Sequence, residues 1–454
     1  MAPGAALDAV FAYIDAHAGK TVEDLCELCR QPSVSTTDVG IEGMARLVQE
    51  RLGRAGFQTQ RFETTHNPII YGELRGRGPR TLLYYNHYDV QPPDPVEDWA
   101  SPPFEPAIRE GHVYARGATD NKGNIVCRLA AVEAFLAVRG ELPCTVKYMI
   151  EGNEEMSSPV IGPFVEGHGD LLRADGCVWE DSSAERVPVL ALGNKGMLYL
   201  ELRCRTANVD FHSSHAQIYE NAAWRLVWAL STLKDRGEKI LVEGFYDDVA
   251  PLTPREKEAL AKVPPYDGAH RREKFQIRRF LLDLPDEKLP ERHLTNPTLN
   301  IAGIWGGYTG KGRKTIVAGQ AAAKVDCRLV ANQEPQKILG CIRRHLDKHG
   351  FSDIEAVNMG HGSFPSKSDP DSPLVRACEA ACRRVYGENP AINPFGTGST
   401  PVWSVIRHLG IPVASTGVGK LTARTHSANE NLKIADLIEG AKYMAAILEE
   451  FGSR

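Results

Sequence analysis

Several histidine and acidic residues stand beside predicted strands and helices, where they could bind metal ions or move protons. They are His87, Asp120, the pair Glu154 and Glu155, the pair Glu180 and Asp181, and His426. Imidazole and carboxylate ligands suit zinc, and carboxylates crowded at one place repel one another unless cations lie between them. Taken singly, a histidine after a strand or a pair of glutamates is typical of ordinary loops and surfaces. Together they predict a metal-dependent site, provided that the fold brings them to one place.

Alternating helices and strands in the first half of the chain decide where these residues lie. Apolar residues recur at helical spacing over 41–52, and 124–138 has the alanine and leucine content of a helix. The runs 81–85 and 145–150 are short and apolar, as buried strands are. This alternation predicts an α/β domain on an open, mostly parallel sheet with helices on both faces. The loops after parallel strands meet in one crevice, where the candidate side chains would converge.

After residue 195 the pattern changes to that of a second lobe. Residues 198–205 alternate apolar and polar side chains, as in a strand with one solvated face. A Pro- and charge-rich stretch and further predicted elements follow: a helix at 220–234, the stretch at 251–296, a strand at 323–330, a helix at 335–349 and a strand at 354–359. These elements predict an α+β lobe with one layer of helices on an antiparallel sheet. Because His426 lies in the closing segment, we expect a catalytic domain at 1–196 and 365–454, with the lobe inserted at 197–364.

The composition is that of a globular protein, with 42% hydrophobic and 24% charged residues. A net charge of −5 gives no electrostatic reason to expect nucleic acid or an anionic membrane as a partner. No apolar run approaches the roughly 18 residues of a membrane span, and the N-terminus lacks a signal pattern, so we expect a cytoplasmic location. The 10 cysteines lack the paired spacing of a zinc knuckle, which predicts buried thiols.

Four ordered strings in the chain resemble the motifs of a known enzyme family. They are His87-Tyr88-Asp89-Val90-Gln91-Pro92, Gly117-Ala118-Thr119-Asp120-Asn121-Lys122-Gly123, Glu151-Gly152-Asn153-Glu154-Glu155 and His426-Ser427-Ala428-Asn429-Glu430. They are similar to those of the co-catalytic zinc aminoacylase/carboxypeptidase family, and most similar to its cytosolic, carnosinase-like dipeptidases. The match covers nearly the whole chain in order. It implies a zinc aminopeptidase-like catalytic domain with an inserted α+β lid and dimerisation domain.

The resemblance also implies a set of metal ligands and two divalent metal ions. The implied ligands are His87, Asp120, Glu155, Glu180 and His426. Asp120 would bridge the two ions, and each histidine would bind one of them. For the fifth ligand two acids stand side by side, and spacing favours Glu180 over Asp181. The expected ions are Zn²⁺, with Mn²⁺ or Co²⁺ as alternatives.

Two further acids would take catalytic roles if the resemblance holds. Glu154 would be the general base that removes a proton from metal-activated water. Asp89, two residues after His87, would hold that imidazole in its correct tautomer. The peptide bond between Asp120 and Asn121 is the place to look for the cis bond that this family often has.

Substrate recognition is expected from groups that bind a free carboxylate. The candidates for this anchor are Arg328, His361 and Ser399, with Thr315 as a weaker one, whereas His212 is a candidate donor to the oxyanion of the tetrahedral intermediate. Arg328 offers a bidentate fork, and Ser399 lies in a glycine-spaced loop that could present backbone N–H groups to an anion. The resemblance implies that His212 reaches into the partner subunit of a homodimer formed through the inserted domain, although Ser214 replaces the family's usual glycine. A metal pair formed by His212 and His215 is the alternative.

These features predict a di-zinc hydrolase that cleaves the amide bond of dipeptides or short peptides next to a free C-terminal carboxylate. An N-acyl- or N-carbamoyl-amino-acid amidohydrolase is the nearest alternative, because the metal site would be the same. An inactive ligand-binding homologue is a remote one, since it would be expected to lack a ligand or the base. A serine hydrolase is disfavoured because the loop at 396–400 does not have the Gly-x-Ser-x-Gly order.

Overall fold

The structure, a computed structural model, describes residues 3–180, 186–360, 362–420 and 422–453, with side chains from residue 6 onward. It divides into two compact units. Unit 1 comprises Met1–Gly193, Ser368–Pro394 and Thr400–Arg454, and unit 2 comprises Asn194–Lys367 and Phe395–Ser399. In the part of the chain that is described, no helix is both long enough and apolar enough to cross a membrane.

Helices and strands are numbered in chain order. The helices are α1 (Pro3–Ala16), α2 (Ala18–Arg30), α3 (Ile41–Arg54), α4 (Asn124–Arg139), α5 (Ile161–Gly167), α6 (Gly169–Leu172), α7 (Ala222–Leu233), α8 (Pro254–Ala261), α9 (Gly268–Phe275), α10 (Leu289–Thr295), α11 (Pro335–Lys348), α12 (Pro373–Tyr386), α13 (Val402–Ser404) and α14 (Ile434–Gly452). The strands are β1 (Gln58–Phe62), β2 (Ile69–Leu74), β3 (Thr81–His87), β4 (Ala107–Arg109), β5 (His112–Tyr114), β6 (Thr145–Glu151), β7 (Gly176–Trp179), β8 (Val189–Ala191), β9 (Gly193–Asn194), β10 (Gly196–Arg205), β11 (Phe211–His212), β12 (Asn300–Gly306), β13 (Ile316–Val317), β14 (Gln320–Leu329), β15 (Glu355–Asn358), β16 (Ser366–Lys367), β17 (Ala391–Asn393), β18 (Val413–Ser415) and β19 (Asn431–Lys433).

Unit 1 is built on an eight-stranded sheet of order β1-β2-β6-β3-β7-β18-β8-β17. The central strands β6, β3, β7 and β18 run parallel, whereas β1 and β2 add an antiparallel edge. Because the central strands are parallel, their carboxyl ends lie along the same edge of the sheet. His87, Glu151 and Trp179 are the last residues of β3, β6 and β7. The predicted α/β class with a mostly parallel sheet is confirmed.

Both faces of this sheet are covered, which explains the continuous apolar runs in its strands. Leu82 and Tyr84 of β3 pack into a core with α4 and α14, and the alternate residues Leu83 and Tyr85 pack into a second core with α5. Helix α4 ends at Gly140, whose φ of 72° is the left-handed conformation that closes many helices. All ten cysteines are free and buried, as expected.

Unit 2 contains a four-stranded antiparallel sheet of order β12-β14-β10-β15. Leu198, Leu200 and Leu202 of β10 face a core with α7 and α11, and the alternate residues of the strand face the other side. Buried and more exposed residues alternate along this strand because successive side chains point to opposite faces of the sheet and helices cover one face. The stretch 251–296 forms α8, α9 and α10, of which α8 begins with a capping box between Thr253 and Glu256.

Candidate metal centre

Separate segments of unit 1 bring the candidate ligands together at the carboxyl ends of the parallel strands. His87 ends β3, and Glu180 follows β7 directly. Glu154 and Glu155 lie in a single 3-10 turn three residues after β6. Asp120 lies in the turn that leads into α4, and His426 lies in the loop before β19. The converging ends of neighbouring strands are where ligand sites occur in open α/β sheets.

The Asp120 carboxylate lies between the two histidines. Its Oδ1 is 3.0 Å from His87 Nε2, and its Oδ2 is 3.0 Å from His426 Nε2. The peptide bond from Asp120 to Asn121 is cis, in agreement with the expectation from the resemblance. One carboxylate therefore reaches two imidazoles with its two oxygens.

Each histidine also has a second acidic neighbour. His426 Nε2 lies 3.2 Å from Glu155 Oε2, and His87 Nε2 lies 3.8 Å from Glu180 Oε2. Within the described ranges, Asp120, Glu155 and His426 form the one group of three or more such residues whose ligand atoms all lie within 4.8 Å of one another. In the same described ranges, neither His212 nor His215 belongs to a group of this kind. Asp181, the alternative to Glu180, lies outside the described residues.

Asp89 is fully buried and connects His87 to the acidic turn. The Asp89 carboxylate lies 3.4 Å from His87 Nδ1, and the same nitrogen is 3.1 Å from the Asp89 carbonyl oxygen. The carboxylate also accepts hydrogen bonds from the backbone N–H groups of Glu154 and Glu155, at 3.2 and 3.1 Å. One side chain thus orients both an imidazole and the turn that carries two acids.

The protein charges at this site shift the pKa of several groups. Burial, together with the nearby charges of Glu155 and Asp120, raises the pKa of Glu154 to about 7. Burial, with the charge of Glu154, raises the pKa of Glu180 well above its usual range. Hydrogen bonds to Asp120 and Glu155 raise the pKa of His426 to about 10. Although burial opposes ionisation of Asp120, hydrogen bonds from both histidines hold its pKa below the usual range.

The donor set fits divalent cations. Two imidazole nitrogens and several carboxylate oxygens face one another in a partly buried cluster, in which His87 is buried and His426 is exposed, and this is the mixture of ligands that zinc binds. Glu180 Oε2 is buried and has no hydrogen-bond partner among the described residues, so a cation would satisfy it. The imidazole and carboxylate groups would release protons on binding a metal, because ligands must be deprotonated.

Glu430, the last residue of the string that begins at His426, holds the loop that carries Asp120. Its buried carboxylate accepts hydrogen bonds from Arg116 Nη1 at 2.8 Å and from the backbone N–H groups of Gly117, Thr119 and Asp120 at 2.9, 3.0 and 3.1 Å. Because Glu430 lies four residues after His426, one short segment provides a candidate ligand and positions another.

Arg128 of α4 is a buried residue beside the candidate ligands that the sequence alone did not indicate. Its fully buried guanidinium donates to the carbonyl oxygens of Tyr85, Trp179, Glu180 and Thr416, at 2.6, 3.0, 2.7 and 3.3 Å. It also donates to Asn86 Oδ1 at 2.7 Å, and Asn86 in turn donates to Asn121. The carboxyl ends of β3, β7 and β18 are therefore joined through one side chain.

The candidates for substrate binding lie in unit 2. Arg328 Nη1 donates to Ser399 Oγ at 2.9 Å, and Ser399 Oγ donates to the Lys195 carbonyl oxygen at 2.6 Å. Among the described residues no carboxylate lies at ion-pair distance from Arg328. His212 is exposed on β11, and its Nδ1 accepts a hydrogen bond from the Ser214 N–H at 3.2 Å. Thr315 lies beside this loop, since its carbonyl oxygen accepts from the Ser213 N–H. His361 lies outside the described residues.

Comparisons with known proteins agree in family and fold. The family model described as Peptidase family M20/M25/M40 matches residues 83–450. The human Beta-Ala-His dipeptidase is 31% identical over 99% of this chain and 93% of its own length, and the Saccharomyces cerevisiae Cys-Gly metallodipeptidase DUG1 is 28% identical over 98% of each. The M20 family metallo-carboxypeptidase Sso-CP2 of Sulfolobus solfataricus superposes with a TM-score of 0.82 at 36% identity, covering 96% of this chain and 99% of that one.

Proposed function

Because the chain belongs to peptidase family M20/M25/M40 and is a hydrolase, we propose that it cleaves dipeptides or short peptides next to a free C-terminal carboxylate, using two divalent metal ions. The observation that carries this proposal is the position of the Asp120 carboxylate. One of its oxygens lies 3.0 Å from His87 Nε2, and the other lies 3.0 Å from His426 Nε2. A carboxylate so placed can bridge two ions. His87 with Glu180 would complete one ion's ligands, and His426 with Glu155 would complete the other's. Zn²⁺ is the expected ion.

The proposed chemistry is hydrolysis with Glu154 as general base. When bound, a pair of divalent cations polarises a carbonyl oxygen and lowers the pKa of water to about 7. Glu154 accepts a proton from the attacking water on a carboxylate oxygen. It then passes that proton to the amide nitrogen as the carbon–nitrogen bond breaks, so the products are a carboxylate and an amine. Asp89 supports this role because it holds the backbone of Glu154 by a hydrogen bond of 3.2 Å.

Arg328 and Ser399 are the proposed anchor for the free carboxylate of the substrate. Arg328 has a guanidinium fork that suits a carboxylate, and its hydrogen bond to Ser399 fixes one end of that fork. In the described part of the chain, no carboxylate lies at ion-pair distance from Arg328, so its guanidinium can pair with a negatively charged ligand. The names of the human and yeast relatives, both dipeptidases, favour a dipeptide over an N-acyl amino acid as the substrate.

The substrate proposal is tested by comparing three compounds: Ala-Ala, Ala-Ala amide and N-acetylalanine. The proposal predicts that kcat/KM is highest for Ala-Ala and roughly ten-fold or more lower for the amide, because a charge-assisted hydrogen bond is lost. N-acetylalanine should be the poorest of the three. Faster hydrolysis of N-acetylalanine than of Ala-Ala would instead support the amidohydrolase alternative.

A homodimer formed through unit 2 is the proposed assembly. Helix α7 exposes Trp224 and Trp228, 59% and 52% accessible, whose rings stack at 5.8 Å. The neighbouring edge strand β12 exposes Ile304 and Trp305 and pairs with β14 on one side only. Exposed apolar side chains beside a strand that is at the edge of its sheet, among the described residues, are typical of a protein–protein interface. A second copy would cover this face, which we call the α7–β12 surface.

A further inference from the structure

A cavity of about 650 Å³ lies within unit 2, and neither Arg328 nor Ser399 lines it. This volume is within the range of pockets that hold small organic molecules. One part of its wall is apolar, formed by Ile240, Tyr266, Phe280, Leu281, Leu289 and Leu299. The rest is polar and carries four basic side chains against two acidic ones, Lys195, Lys234, Arg271 and Arg292 against Glu238 and Asp326. The cavity thus combines an apolar wall with an excess of positive charge.

Both acids of the wall already have partners. Glu238 lies 2.6 Å from Lys234 Nζ, and this ion pair removes one positive and one negative charge. Asp326 Oδ1 accepts a hydrogen bond of 2.8 Å from Asn300 Nδ2. Asp326 keeps its negative charge but does not lie at ion-pair distance from the remaining basic side chains, so three positive charges stand against one negative charge in the wall. Within the described ranges, Lys195, Arg271 and Arg292 have no carboxylate at ion-pair distance.

Lys195 is the most constrained of these cations. It is 4% exposed, and its Nζ donates to the carbonyl oxygens of His293 and Asn296 at 2.7 and 2.6 Å. An ammonium group has three N–H donors, so these bonds leave one donor for a ligand. A buried cation without a counter-ion is unfavourable. Burial and the positive charge of Arg328 both disfavour the charged form of Lys195, and they lower its pKa to about 8.

Aromatic and basic side chains form the wall beside Lys195. The Arg271 guanidinium lies 4.5 Å from the centre of the Tyr266 ring, and the Tyr266 hydroxyl lies 2.7 Å from His293 Nδ1. These contacts hold a second cation and an aromatic ring at the cavity. A ligand with one negative group and one flat apolar group would match both parts of the wall.

We propose that this cavity binds a small organic carboxylate with an apolar body, held through its negative charge by Lys195 and Arg271. The apolar wall takes the body of the ligand, and the two cations gain the counter-ion that the described side chains do not supply. Neither Arg328 nor Ser399 is part of the cavity wall, although Ser399 Oγ donates to the Lys195 carbonyl oxygen, and occupancy of the cavity does not depend on the proposed hydrolysis.

The test uses the full chain and two probes of the same shape, phenylacetate and its neutral counterpart phenylacetamide, with binding measured by calorimetry. Phenylacetate should bind at least about ten-fold more tightly than the amide, the loss expected for a charge-assisted hydrogen bond. The substitutions Lys195→Gln and Arg271→Gln should each weaken phenylacetate binding by a similar factor. Lys274→Gln, on the same helix as Arg271 but not at the cavity, is the matched control and should leave the affinity unchanged.

Further variants locate the ligand. Arg328→Gln should retain phenylacetate binding, because that residue is not part of the wall. Phe280→Ala should weaken both probes, and it tests the apolar wall without touching the hydrogen bonds that Lys195 makes to residues 293–296. Equal affinities for acid and amide, or phenylacetate binding unchanged in both Lys195→Gln and Arg271→Gln, would overturn the proposal.

Discussion

At the scale of single residues, some side chains of the site would take part in the proposed reaction, and others hold those side chains in position. In our proposal Glu154 moves the proton, and Asp89 fixes both Glu154 and His87. Asp120 is shared by two histidines, so its loss would affect both proposed ions at once. Glu430 holds the backbone that leads to Asp120, and Arg128 binds the backbone carbonyl oxygen of Glu180 and that of Tyr85, two residues before His87.

The general-base role predicts a specific result for Glu154→Gln. The amide is nearly the same size as the acid but cannot accept and return a proton, so kcat for Ala-Ala should fall about 10² to 10⁴-fold. Metal content per chain should remain that of the unaltered protein. The exposed Glu166→Gln is the control and should leave kcat unchanged. Retained turnover in Glu154→Gln would remove this residue from the base role.

The carboxylate anchor predicts a selective effect of Arg328→Gln. Losing a charge-assisted hydrogen bond costs about 1.5–3 kcal/mol, so kcat/KM for Ala-Ala should fall roughly 10- to 150-fold. Hydrolysis of Ala-Ala amide should change little, because it has no carboxylate to lose. Arg205→Gln, an exposed substitution on the same unit, should affect neither compound. An equal loss for both compounds would argue against carboxylate recognition by Arg328.

At the scale of elements, three strand ends meet at one buried cation. Arg128 donates to carbonyl oxygens near the carboxyl ends of β3 and β7 and directly after β18, and buried carbonyls of this kind need donors. His87 and Glu180 lie within two residues of the carbonyls that Arg128 binds. We therefore infer that α4 holds together the strand ends that carry two of the proposed ligands.

This arrangement predicts that Arg128→Met is destabilising and lowers metal affinity. Several buried carbonyls lose their donors, and each unsatisfied group costs about 1–3 kcal/mol, so the free energy of unfolding should fall by roughly 3 kcal/mol or more. Urea unfolding measures that change, and metal content is then compared at equal folded fractions. Arg30→Met removes only an exposed ion pair with Glu23 and should cost under about 1 kcal/mol. Full metal binding in folded Arg128→Met would contradict a positioning role.

The sequence predicts the main elements of unit 1 well because their signals are local. The predicted strand at 81–85 and helix at 124–138 are observed at Thr81–His87 and Asn124–Arg139. Arg128 could not be found in the same way. It lies among Ile125, Val126 and Leu129, and a single arginine in such a helix usually faces solvent. Its partners are backbone carbonyls that are distant in the chain, so no local pattern indicates them. By contrast, the start of the helix at Pro254–Ala261 could have been predicted from the sequence, because Thr253 and Glu256 have the spacing of a capping box.

At the scale of the whole molecule, the chain consists of two compact units with separate cores. Unit 1 carries the candidate ligands, and unit 2 carries the candidate carboxylate anchor, the cavity and the α7–β12 surface. The inserted unit's role as lid and dimerisation domain stays a prediction, as do the domain boundaries at 196/197 and 364/365.

The proposed homodimer predicts that charge on the α7–β12 surface produces monomers. Trp228→Asp and Ile304→Asp should each shift the sedimentation coefficient from that of a dimer to that of a monomer, because a carboxylate would be buried without a partner. Phe275→Asp, an equally exposed apolar position on α9, should leave the dimer intact. A monomeric unaltered protein, or a dimer that survives both substitutions, would refute this interface.

In the proposed function, metal ions at Asp120 support hydrolysis of a dipeptide. The most direct measurement is metal content per chain on dialysed protein, combined with Ala-Ala hydrolysis before and after chelation. We expect two divalent ions per chain, activity that is lost on chelation, and activity that is restored by Zn²⁺ or Mn²⁺. Protein that contains no metal and hydrolyses Ala-Ala equally well with or without chelator would contradict it.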